Sequence, residues 1–208
     1  MPIVYPGLLD EKDVESIAAY LKTLTTNGNP KAPSSYAPPT TAGSKPWQAI
    51  YSVLTTPRCI NCHTVTGYPR QTDIRYPHIY SIIRGPDNRG APVGRCENCH
   101  GSENNSETGI PGRSGWSLAP LTMAWESEPG VAMTGPELCS MMKDRLRNGN
   151  RDLAELVEHV KSEHLVLWAW DPGTRWNGDA RKTPPMSHDD FVSAFEEWVN
   201  AGAPCPAQ

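Results

Sequence analysis

The pentapeptide Cys59-Ile60-Asn61-Cys62-His63 recurs as Cys96-Glu97-Asn98-Cys99-His100, so four of the six cysteines fall in a single pattern. In 208 residues with six cysteines and six histidines, composition alone gives about 0.004 C-x-x-C-H matches. The spacing is what covalent haem attachment requires. Two thiols three residues apart can form thioethers with the two vinyl-derived carbons of one porphyrin. The histidine that follows falls beneath the ring, where its imidazole can take the proximal position on iron. The sequence therefore points to two haem c groups, with Cys59, Cys62, Cys96 and Cys99 as anchors and His63 and His100 as proximal ligands.

A Cys₄ zinc site is the competing use of two CxxC pairs. Residues 63–95 separate the pairs, 33 positions, whereas zinc ribbons use about 15–20. Zinc would also leave the histidine after each pair without a role. A thioredoxin-like pair would need a surrounding βαβ pattern, and neither motif has one.

Composition agrees with a chain that relies on a prosthetic group for its interior. Glycine (17) and proline (21) are in excess, and Phe (2) is scarce beside Trp (7) and Tyr (7). The net charge of −4 excludes a basic nucleic-acid binder, and no apolar run reaches the roughly 18 residues of a spanning helix. Helical periodicity appears in Val14, Ile17, Ala18, Leu21 and Leu24, then in Trp47, Ile50, Tyr51 and Leu54. It returns after Thr134 in Leu138, Met141, Met142 and Leu146, over residues 152–163, and from Ser187 through Phe191, Phe195 and Trp198. Residues 101–117 read as polar loop, and a Trp-rich loop holds Trp168, Trp170 and Trp176. No strand alternation stands out. The expected fold is mostly α and loop-rich, with haems forming much of the core.

With both motifs in place, the chain resembles the multihaem c-type cytochromes, and in particular a dihaem family found beside bacterial oxidoreductases. The resemblance covers about residues 47–206 and is carried by Arg84-Gly85-Pro86-Asp87, Leu118-Ala119-Pro120, Met123-Ala124-Trp125, Leu165 to Trp170 and Ala201 to Pro206. Residues 1–24 resemble the closing segment of a class I cytochrome c domain, with Met1-Pro2 in the place of that family's distal ligand and Tyr20-Leu21-Lys22 ending its helix. The CxxCH half of such a domain is absent upstream. Met1 could then belong to a truncated third-haem domain, cap the haem of another domain or chain, or be an ordinary start. The expected organisation is an N-terminal segment at 1–24, a linker at 25–45 and a dihaem cytochrome c domain at 46–208.

The other face of each iron needs a ligand. His78 lies between the motifs on a short tether, where the resemblance also places a histidine, and is assigned to the haem on Cys59 and Cys62. Met123, in the extended run Leu118 to Met123, is assigned to the second haem, with Met186 as its rival. Met141 and Met142 sit at core spacing, and His159 and His188 read as structural helix residues. One His/His and one His/Met iron would differ in potential, because a thioether raises it. Six arginines against two aspartates over residues 58–95 suit haem propionates or an acidic docking partner equally well.

Cys139 and Cys205 remain, and an even remainder in an oxidising compartment predicts a disulfide. Covalent haem attachment happens outside the cytoplasm, so the expected location is periplasmic or extracellular. Residues 1–30 carry no signal peptide, which reads as a processed form or a start that lies upstream. The expected role is an electron carrier between a redox enzyme such as a dehydrogenase and a terminal acceptor, and not an enzyme. A protomer of a haem-bearing polymer made of copies of this chain, and a dihaem peroxidase-like enzyme, are the alternatives.

Overall fold

Among the described residues, four amphipathic helices supply the framework. In the computed structural model, which describes residues 45–207, α1 (Lys45–Leu54) buries Trp47, Ile50, Tyr51, Val53 and Leu54 at the spacing of one helical face. The other three are α3 (Gly135–Lys143), α4 (Leu153–Ser162) and α6 (His188–Asn200). Two single-turn helices, α2 (Pro57–Ile60) and α5 (His164–Leu167), lie between them. Met1, the helix expected before residue 24 and all but the last residue of the expected linker lie outside the described residues.

α1 and α6 meet through aromatic rings. Trp47 and Trp198 stand 5.1 Å apart between centroids, Phe195 packs edge-on to Trp198 at 5.4 Å, and Phe191 packs edge-on to Phe195 at 5.8 Å. Trp47, Phe191, Phe195 and Trp198 are almost fully buried, and Leu138 and Met141 of α3 close the same core. Offset and edge-on pairs of this kind add to the area they bury. Met141 and Met142 are core residues, as the periodicity predicts.

The helix starts follow side-chain chemistry. Thr134 accepts from the Glu137 backbone N–H while Glu137 reaches back to the Thr134 N–H, and Asp152 and Glu155 repeat this capping box at α4. Ser187 caps α6. A disulfide joins Cys139 on α3 to Cys205, 66 residues apart, as the cysteine count predicts. A loop of that length is worth roughly 4 kcal/mol in the chain-entropy description.

Two elements differ from the sequence reading. α3 stops at Lys143, so Leu146 is exposed instead of completing the apolar face. Buried Asn148 explains the stop, because its amide donates to the carbonyls of Met142 and Arg151 and its oxygen accepts from the Arg151 N–H. This cross-stitch satisfies backbone groups that a longer helix would have used. The Trp-rich segment is also partly helical, since α5 runs into a tight turn over Trp168–Trp170.

Short antiparallel hairpins punctuate the segment that carries the cysteine motifs. β1 (Arg70–Gln71) pairs with β2 (Tyr76–Pro77), β3 (Gly90–Ala91) with β4 (Gly94–Arg95), and β5 (Glu126–Glu128) with β6 (Val131–Ala132) around a bulge. They are too short to build a sheet. Among the described residues, no helix is long and apolar enough to cross a membrane.

Candidate functional site

Each CxxCH motif folds into one helical turn of the same design. In the first, the N–H groups of Cys62 and His63 both donate to the Cys59 carbonyl; in the second, those of Cys99 and His100 donate to the Cys96 carbonyl. Pro57, at the start of α2, sets the first turn running. The turn gathers both cysteines and the histidine of a motif within one coil of backbone.

The four motif cysteines are free thiols, unlike Cys139 and Cys205. Burial pushes the Cys59 thiol up to about 12 and the Cys62 thiol up to about 11, and it raises Cys96 as well. Thiolate chemistry needs the opposite shift, so the surroundings of Cys59, Cys62 and Cys96 favour the neutral thiol. Among the described residues, no three His, Cys, Asp or Glu side chains gather where they could hold a bare metal ion.

The histidines show a consistent pattern. His63 Nδ1 lies 2.8 Å from the Met123 carbonyl, and His100 Nδ1 lies 2.6 Å from the Pro111 carbonyl. A carbonyl only accepts, so Nδ1 carries the proton in both rings and Nε2 keeps its lone pair. This is the outer-shell bond that metal-binding histidines typically make. Burial lowers the pKa of His63 to about 4 and lowers that of His100 too, which keeps both rings neutral at physiological pH. His78 repeats the pattern, with Nδ1 2.7 Å from the Ile79 carbonyl. His188 is the reverse case: its Nε2 is bonded to the Val160 carbonyl at 2.8 Å, consistent with a structural residue at the start of α6.

A cavity of about 350 Å³ opens between the motifs and is lined by Cys62 from the first and Cys96, Cys99 and His100 from the second. His78 is on its wall as well, with its ring centroid 5.9 Å from that of His100. Two imidazoles bound to one metal atom at about 2 Å each would stand roughly 6 Å apart by the same measure. The sequence reading placed His78 with the first motif. Its backbone N–H is held by the Pro69 carbonyl beside the β1–β2 hairpin, and its ring stands nearest that of His100 on a cavity that both motifs line.

Met123 is displaced in the opposite sense. The run from Leu118 to Trp125 folds back over the first motif, with the Ala119 N–H donating to the Cys62 carbonyl and the Trp125 N–H to the His63 carbonyl. Met123 thus sits behind His63 and is not among the residues lining the cavity beside His100. Its sulfur lies beside Gly149. His159 on α4 was read from sequence as structural. Its ring makes no hydrogen bond among the described residues, and its charge is felt at His63.

The charged lining of the cavity is strongly one-sided. Arg58, Arg70, Arg95, Arg175 and Arg181 face it, against Asp73 alone. Asp73 bridges Arg58 and Arg175, while Arg58 also lies 5.6 Å over the Trp168 ring. Arg175 and Arg181 lie far along the chain from the arginine-rich segment, beyond the reach of a local sequence pattern. Arg58 Nε and Asn61 Oδ1 are buried without a hydrogen-bond partner among the described residues. Buried polar atoms left this way call for an explanation, and a carboxylate-bearing planar group would supply a partner for the guanidinium. The free thiol pairs, the available Nε2 atoms and the basic apolar-walled cavity all fit haem c.

A buried carboxylate secures the far side of the first motif. Glu126, 2% exposed, accepts from the Thr64 hydroxyl at 2.5 Å and the Val65 N–H at 2.9 Å, and it pairs with Arg75. Arg84, also buried, donates to the carbonyls of Thr64, Thr66 and Ala119. These two residues tie the segments on either side of the first motif into one scaffold. Comparison of the chain with protein-family models, curated proteins and solved structures gave no match.

Proposed function

We propose that the protein transfers electrons by means of two covalently attached haem c groups, one on Cys59 and Cys62 and one on Cys96 and Cys99. The observation that carries this reading is the duplicated donor set. Each motif turn presents two thiols outside any disulfide and a histidine whose Nδ1 is committed to a carbonyl.

When bound, each haem supplies a one-electron couple at its iron. The chain's own residues hold that group and set its surroundings. His63 and His100 offer neutral Nε2 atoms on the proximal side. His78 offers a third at the second site, on the wall facing His100. At the first site His159 is the candidate for the second donor, because it acts electrostatically on His63 and its ring has no hydrogen-bond partner among the described residues. The arginines of the cavity wall are placed to pair with propionates, which lowers the cost of burying those charges. Cys62 and Cys96 line one cavity, which supports electron passage between the two attachment points.

Covalent attachment and a disulfide both belong to an oxidising compartment, so the protein works in the periplasm or outside the cell. Its partners are a redox enzyme on one side and an acceptor on the other. With His63 or His100 and a second donor such as His78 held at each group, the sites would carry electrons and leave no position open to a substrate. An anaerobic redox titration of the holoprotein should show two one-electron steps, and carbon monoxide should leave the reduced spectrum unchanged. Carbon monoxide binding at modest concentration would overturn the carrier reading in favour of an enzyme.

A further inference from the structure

Each proximal histidine has an indole lying flat against it. The rings of His63 and Trp125 are 3.5 Å apart between centroids and 11° from parallel; those of His100 and Trp116 are 4.6 Å apart and 8° from parallel. The pairing is not part of the motif repeat, since the tryptophans follow their histidines by 62 and 16 residues. Both indoles come from the segment that also supplies the carbonyl partners of the two imidazoles, Pro111 and Met123. Each is itself held. The Trp125 backbone bonds to His63 and Met133, and Trp116 packs edge-on at 4.8 Å against Trp168, whose Nε1 donates to Asn104.

We propose that Trp125 and Trp116 are positioning residues that fix the planes of the two proximal imidazoles and tune the two irons through them. This rests on the haem reading above. A hydrogen bond at Nδ1 sets the tautomer and one direction of the ring but leaves it free to twist about that bond. A flat indole at stacking distance removes the twist. The indole face is also electronegative, so it stabilises an imidazole made more positive by ferric iron. Losing the indole therefore favours the reduced state. The effect is larger at His63, where the contact is closer.

The test replaces each tryptophan in the holoprotein by leucine and by phenylalanine, with haem content, midpoint potential and low-spin electron paramagnetic resonance g values read for each variant. Trp116→Leu and Trp125→Leu should each shift the reduction equilibrium of their own haem at least threefold toward the reduced state. The g values of that haem should move while those of the other stay put. The phenylalanine variants should fall between leucine and the native protein. Unchanged potentials and g values in leucine variants that keep both haems overturn the proposal. So does failure of both phenylalanine variants to retain haem, since that marks a purely structural role. A native protein without any haem would instead sink the reading beneath it.

Discussion

At the scale of single residues, Glu126 shows how the scaffold behind the first motif is held. Burial acts to raise its pKa, but the hydrogen bonds from Thr64 and Val65 and the charge of Arg75 outweigh that and hold it below the ordinary carboxylate value. A carboxyl whose pKa is depressed by folding contributes stability that is fully present above its unfolded value, about 4.3. That contribution is lost as pH falls through the lower folded value. Glu126→Gln keeps the shape but removes the charge that Arg75 faces. It should lower the unfolding free energy at pH 7 by about 1–3 kcal/mol in denaturant titrations, and it should flatten the acid limb of the stability profile below pH about 4. An unchanged acid limb would show that Glu126 is not the group that titrates. Nothing in the local sequence marks this residue. A glutamate in Trp-Glu-Ser-Glu looks like a surface residue until its backbone is folded against Thr64.

At the scale of elements, the helices were readable because their signals are local. Capping pairs at Thr134/Glu137 and Asp152/Glu155 and the apolar spacing of α1 and α6 need only a few neighbouring residues. The end of α3 was not readable, because Asn148 stops it through bonds to both sides of a turn. The proximal half of the site was equally local, fixed by five consecutive residues at each motif. The other donors depend on how connecting segments return over the motifs: the sequence reading assigned His78 to the first haem, and its ring lies 5.9 Å from that of His100 in the second motif. The same reading put Met123 beside the second motif, whereas the chain carries it to the first. The placement has a spectroscopic consequence. The oxidised holoprotein should lack the far-red thioether-to-iron band, and Met123→Ala should leave the spectrum unchanged. His159→Ala should make the first iron open to carbon monoxide, and His78→Ala the second. A thioether band abolished in Met123→Ala would restore methionine as a ligand.

At the scale of the whole molecule, the described residues join two regions of different chemistry. One is an aromatic helical core of Trp47, Phe191, Phe195 and Trp198, reinforced by the disulfide from α3 to Cys205. The other is loop and hairpin, where polar scaffolding by Glu126 and Arg84 takes the place of a large apolar interior around the cavity. The excess of glycine and proline fits that second region. The central claim is that a prosthetic group completes it at both motifs. The most direct measurement is the intact mass, with peptide mapping, of the protein produced in cells competent for c-type haem attachment. The account predicts the chain plus two haems, with thioether-linked peptides at Cys59/Cys62 and Cys96/Cys99. An unmodified mass with four alkylatable thiols, or with zinc in their place, would contradict it.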